Sequence, residues 1–104
     1  MSKVIPPKLK LKILARDNYL CRYCGKDGFE SFESWCYIDV DHFDPTLPDT
    51  EINNENNLAT ACRFCNSQKG DKGFRTIQEA RAFLVQRRIE KFKEFQMRKK
   101  EIRG

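Results

Sequence analysis

Apolar and polar residues follow two different periods along the chain, and the changes of period mark the elements. After Pro6-Pro7, Leu9, Ile13 and Leu14 recur at helical spacing, which predicts a first helix ending near Asp17-Asn18. Lys8, Lys10, Lys12 and Arg16 then fall on its exposed sides. Cys21-Arg-Tyr-Cys24-Gly25 reads as a tight turn. The run Trp35–Asp41 is rich in aromatic and β-branched residues and predicts a strand, with Cys36, Ile38 and Val40 on one face. Asp44-Pro45 and Leu47-Pro48 stop it and open an irregular loop. Leu58–Ala61 predicts a short second strand leading into a helix that begins around Cys62, with breaks at Gly70 and Gly73. Thr76-Ile-Gln-Glu79 is a capping-box pattern, in which the Thr oxygen accepts from the third amide and Glu79 reaches back. From there to Arg103 nothing breaks the helix. Ile77, Ala80, Leu84, Ile89, Phe92 and Phe95 predict one basic amphipathic helix over 76–103, about 40 Å long and able to overhang a small domain. The expected fold is α+β: a small hairpin among helices, flanked by an N-terminal helix and a long C-terminal one.

At 104 residues the chain suits a single domain spanning 1–104. No stretch approaches the roughly 18 apolar residues of a membrane span. The first fifteen residues alternate lysine with apolar residues and lack a continuous apolar run, so no secretory signal is expected. The reading is a cytoplasmic protein whose thiols stay reduced. The net charge of +5 is unevenly spread. Residues 1–27 balance at +5, residues 28–57 at −8 with no Lys or Arg, and residues 58–104 at +8. Two basic flanks around an acidic middle suit a polyanion partner beside a cation site. A solvated surface with an acidic loop explains the same pattern, so charge alone leaves the choice open.

The five cysteines narrow it. Cys21-x-x-Cys24 and Cys62-x-x-Cys65 are two knuckles, each able to place two thiolates about 2.3 Å from one zinc ion. Together they make a closed four-thiolate Zn²⁺ site, structural because no position is left for substrate. Cys36 stands apart and is expected to be a buried thiol. Thirty-seven residues separate Cys24 from Cys62, more than the roughly 15–20 of a simple zinc ribbon. That insert holds the only histidine and most of the acids.

The insert contains Val40-Asp41-His42-Phe43-Asp44-Pro45, then Asn57-Leu58, followed by Cys62-Arg-Phe-Cys65-Asn66-Ser-Gln-Lys69-Gly70-Asp71-Lys72. Over about residues 9–74 these motifs resemble the HNH endonuclease family, in an H-N-N form with Asn66 where many relatives have His. The Gly-Gly that many relatives carry after the Asp-His pair does not occur between Pro45 and Asn57. The resemblance implies a ββα-metal (His-Me finger) core, a hairpin carrying Asp41 and His42 crossed by a helix carrying Asn66. It implies DNA as substrate, Asp41 and Asn66 as ligands of a catalytic divalent ion, and His42 as general base. Asn57, favoured over Asn56 by the Leu58 that follows, is implied to fix the loop and orient the His42 ring.

The residue types suit those roles. An imidazole is matched to accepting a proton near neutral pH. A hard cation neutralises phosphate charge, and two oxygen ligands plus waters favour Mg²⁺ or Mn²⁺. Neighbours on a regular strand point to opposite faces, so the strand is expected to bulge, twist or end at Asp41-His42. Arg63, Lys69, Lys72 and Arg75 are the candidate phosphate-holding residues. The rival reading is a non-catalytic, zinc-stabilised nucleic-acid-binding or interaction module of the same fold. The C-terminal helix could dock on a larger enzyme or on a second copy.

Overall fold

The computed structural model describes residues 4–104; Met1–Lys3, part of the stretch read above for a leader, lie outside the described residues. Helix α1 (Pro7–Arg16) starts on the proline, whose fixed φ and missing N–H suit a first turn. Strands β1 (Ile38–His42) and β2 (Leu58–Cys62) pair antiparallel, in a register that sets Ile38 against Cys62 and His42 against Leu58. Helix α3 (Arg63–Lys69) follows β2 directly, with Cys62 as its N-cap. Helix α4 (Ile77–Arg103) closes the chain.

One expected element changes character. Phe32–Cys36 is a short helix, α2, and the strand begins only at Ile38. The Ser31 hydroxyl accepts from the Ser34 amide and starts a helical turn, and this local cap outweighs the strand preference of Trp35 and Tyr37. Cys36 therefore ends a helix and is exposed, not buried as expected.

The two-stranded sheet is covered on both faces. Ile38 and Val40 of β1 and Leu58 of β2 pack with Ile5, Ile13 and Leu14 under α1. Ala59 and Ala61 face the other way and join Cys21, Tyr23, Cys62, Cys65, Ala80 and Leu84 under α3 and α4. Every residue of β2 is consequently buried. Polar clamps fix α1 to the sheet: the Asp17 carboxylate accepts from the Thr60 amide, and the Arg16 guanidinium donates to the Leu58 carbonyl.

Helix α4 carries its expected Thr76 cap, although Glu79 accepts from the Arg75 amide instead of reaching back to Thr76 itself. Only Ala80 and Leu84 of its 27 residues are buried. Ile89, Phe92, Phe95 and Ile102 stand in the open, and the helix overhangs a molecule measuring 51 × 29 × 25 Å. None of the helices is long and apolar enough to cross a membrane, among the described residues.

Candidate functional site

The two knuckles meet as their spacing suggests. Gly25, at φ +80°, turns the chain after Cys24, and the Gly25 amide bonds back to the Cys21 carbonyl. The Arg22 amide donates to the Thr60 carbonyl and so ties this knuckle to β2. The second knuckle is the β2–α3 junction itself. All four Sγ atoms lie within 4.8 Å of one another, and Cys24 and Cys62 approach to 3.7 Å. A tetrahedron of Zn–S bonds has edges of about 3.8 Å, so the donor set fits one zinc ion. Hydrogen bonding within the cluster, chiefly from Cys24, brings the Cys21 thiol down to about 6. Hydrogen bonds with Cys21 push Cys65 up instead, because four thiols this close share protons unequally. A cation removes that conflict. Arg88 of α4 adds a positive charge: its guanidinium lies over the Phe64 ring and 4.0 Å from Cys65 Sγ. Nothing in the sequence singled Arg88 out, since only helix docking brings it there.

At the end of β1 the alternation expected of a regular strand is kept. His42 forms the last rung of the ladder, and the strand ends there without a bulge. Asp41 faces the α3 side and His42 the α1 side. The Asp41 carboxylate is 8 % exposed and the Lys69 side chain 0 %. Lys69 Nζ lies 3.1 Å from Asp41 Oδ2 and donates to the His42 carbonyl at 2.9 Å. The Tyr23 hydroxyl, carried by the first knuckle, donates to the same Oδ2 at 2.8 Å. Burial pushes the Asp41 carboxyl above its ordinary value, while Lys69, the Tyr23 hydroxyl and His42 pull against that shift. Burial and the adjacent carboxylate push the Tyr23 phenol far up, so it stays a donor.

Lys69 accordingly leaves the set of phosphate-holding candidates. An ammonium enclosed by packing and held by two acceptors offers nothing to a phosphate. Arg63, Lys72 and Arg75 are exposed, with Arg63 over the Tyr37 ring and Lys72 over Phe83.

Asn57 fixes the loop after β1. Its oxygen accepts from the Asp44 amide, its nitrogen donates to the Asp44 and Ile52 carbonyls, and its backbone carbonyl accepts from the Phe43 amide. None of these bonds goes to the imidazole. The ring bond comes from Asn53, whose Oδ1 lies 2.8 Å from His42 Nε2. Four of the five residues 53–57 are asparagine, and the sequence alone had no means of choosing Asn53 among them.

Asn66 lies on α3 and lines a surface recess with Ile38, Asp39 and Arg63. Asp41 shares a β1 face with Asp39, one of the residues lining that recess, but does not itself line it. Among the described residues no hydrogen bond engages Asp41 Oδ1 or the Asn66 carboxamide. Two unengaged oxygens of this kind fit a hard divalent ion chemically. The structure thus joins Asp41 to Lys69 and Tyr23, sets Asn66 beside Asp39, and joins His42 to Asn53.

A family model described as HNH endonuclease matches residues 21–72, half of the chain, from the first knuckle to just past α3. Searches of curated proteins and of solved structures gave no match.

Proposed function

Because this chain belongs to the HNH endonuclease family, we propose that it is a metal-dependent endonuclease that hydrolyses DNA phosphodiester bonds. The observation that carries the reading is that the matched segment contains Asp41, His42, Asn57 and Asn66 on a β1–β2–α3 unit beside a four-cysteine cluster. His42 is the general base. One ring nitrogen is bonded to Asn53 and the other is left to take a proton from water. Asp41 and Asn66 are the residues to hold Mg²⁺ or Mn²⁺, which when bound supplies charge neutralisation at the phosphate and the departing oxygen. Arg63, Lys72 and Arg75 position the DNA backbone. Asn57 holds the loop that follows the base. The cysteines are all free, which suits a reducing compartment such as the cytoplasm. The overhanging part of α4 serves as an arm for DNA, a second copy or a larger enzyme.

A nicking assay on supercoiled plasmid in Mg²⁺, Mn²⁺ or Zn²⁺ tests the assignment. Loss of a general base costs typically 10²–10⁴-fold, so His42→Ala should cut slower by about that factor with zinc content and helical signal unchanged. Cleavage at the wild-type rate by that variant ends the role assigned to His42. Two observations favour the alternative of a non-catalytic binding module: the Lys69 ammonium sits on the carboxylate meant for the ion, and Asp41 and His42 face opposite sides of β1. That alternative gives salt-sensitive DNA binding and no scission by the wild-type chain in any metal.

A further inference from the structure

The tautomer of His42 can be read from its neighbours. Asn53 is engaged at both ends of its carboxamide: one end meets the Val4 carbonyl at 3.0 Å and the other meets His42 Nε2 at 2.8 Å. A backbone carbonyl only accepts, so the NH₂ group of Asn53 must face Val4. Reversing the amide would set its oxygen against the Val4 oxygen, two acceptors with no proton between them. The Asn53 oxygen therefore faces the ring. It too only accepts, so Nε2 must carry the proton, and a neutral imidazole then keeps its lone pair on Nδ1.

The anchors of this relay are firm. Ile5, next to Val4, is buried with Ile13, Leu14, Ile38, Val40 and Leu58, and so holds the start of the chain on the core. On the other side, Asn57 holds the Ile52 carbonyl at 2.9 Å, next to Asn53. The segment before α1 thus reaches the ring at the end of β1 through one side chain.

We propose that Asn53 is a positioning residue that fixes His42 as the Nε2–H tautomer and so makes Nδ1 the atom that accepts a proton. The proposal rests on the reading of His42 as general base only for its effect on rate; the tautomer stands on the hydrogen bonds alone. In the reaction Nδ1 takes the proton of the attacking water while Nε2–H stays on Asn53, and the resulting imidazolium is stabilised by that bond.

The chain has a single histidine, so nitrogen-15 NMR of the uniformly labelled full-length protein reads this ring without ambiguity. At a pH where the ring is neutral, wild type should show a protonated, pyrrole-type Nε2 and a pyridine-type Nδ1. A protonated Nδ1, or comparable amounts of the two forms, overturns the proposal. Asn53→Asp keeps an acceptor facing Nε2 and should keep the tautomer, whereas Asn53→Ala should release the ring to a mixture. In the nicking assay Asn53→Ala should lower kcat about 10–100-fold, the usual scale for a lost orienting partner, with KM little changed and Asn53→Asp retaining most of the rate. Should Asn53→Ala fail to fold, the wild-type and Asn53→Asp spectra still decide the question. An inactive wild type with the Nε2–H form would sink the nuclease reading and leave the relay standing. An active wild type with the Nδ1–H form would do the reverse.

Discussion

Lys69 shows how much a single residue can hide in a sequence. Written out, it is one more cation after a cysteine knuckle, alongside Lys72 and Arg75. Folded, it is enclosed between α3 and β1, bonding both the Asp41 carboxylate and the His42 carbonyl. Removing one member of a buried ion pair leaves the other charge uncompensated, which typically costs about 3–5 kcal/mol. Lys69→Ala should therefore lower the urea-unfolding free energy by about that much. Adding Asp41→Asn to it should recover part of the loss, because the neutral amide no longer needs the ammonium. A double-mutant cycle measures this coupling. Strictly additive losses would mean that the two groups do not stabilise one another. The same comparison explains what was readable here: the Asp41-His42 pair, Asn66 and both knuckles are patterns of neighbours in sequence, whereas Tyr23, Asn53, Lys69 and Arg88 act on partners at least 11 residues away.

At the scale of elements, boundaries set by local chemistry were legible and those set by composition were not. Cys62 and Thr76 each begin a helix by accepting from an amide within one turn, and Pro7 begins one through its fixed φ, with no side-chain cap. The stretch around Trp35 has the composition of a strand, yet the Ser31 cap makes it a helical turn with Phe32 and Trp35 stacked on the outside. Helix α4 was expected to carry one apolar stripe, and the stripe works only near its start. There Ala80 and Leu84 reach the core, Arg81 donates to the Arg22 carbonyl, and Arg87 donates to the Gln68 side chain. Beyond Glu90 the helix adds exposed Phe92, Phe95, Met97 and Ile102, together with six Lys or Arg and two Glu. Ending the chain after Glu90 should thus move the urea midpoint little, since that part buries almost nothing. It should weaken DNA binding and flatten the slope of log K against log salt, because fewer phosphates are neutralised. A large fall in stability that depends on protein concentration would instead show that this arm packs against a second copy.

For the whole molecule the controlling fact is that a two-stranded sheet cannot hold the four helices around it by itself. The cluster on the α3 and α4 side is built largely from the zinc knuckles, with Cys21, Cys62 and Cys65 among its buried members and Tyr23 projecting from the first knuckle. Without an ion, a hydrophobic contact and a set of competing thiols must hold residues 21–24 against residues 62–65. Binding to a structural four-thiolate site supplies on the order of 10–16 kcal/mol in small zinc domains, comparable with or larger than the stability of a whole domain of this size. Zinc and fold should therefore be lost together. The purified protein should carry one zinc per chain, and stripping it with a strong chelator should abolish the helical circular dichroism in one cooperative step. A metal-free chain that keeps its helices and melts as before would refute a structural role for the ion. The order of events matters as well. An ion held by Asp41, Asn66 and water is expected to exchange quickly, whereas one enclosed by four thiolates leaves slowly. Brief chelation should stop nicking while the helical signal persists, and added Mg²⁺ or Mn²⁺ should restore it. Prolonged chelation should free the knuckle that carries Tyr23, and with it one of the two anchors of Asp41. Catalysis should then become unrecoverable by Mg²⁺ or Mn²⁺ alone and return only when zinc is supplied to rebuild the fold.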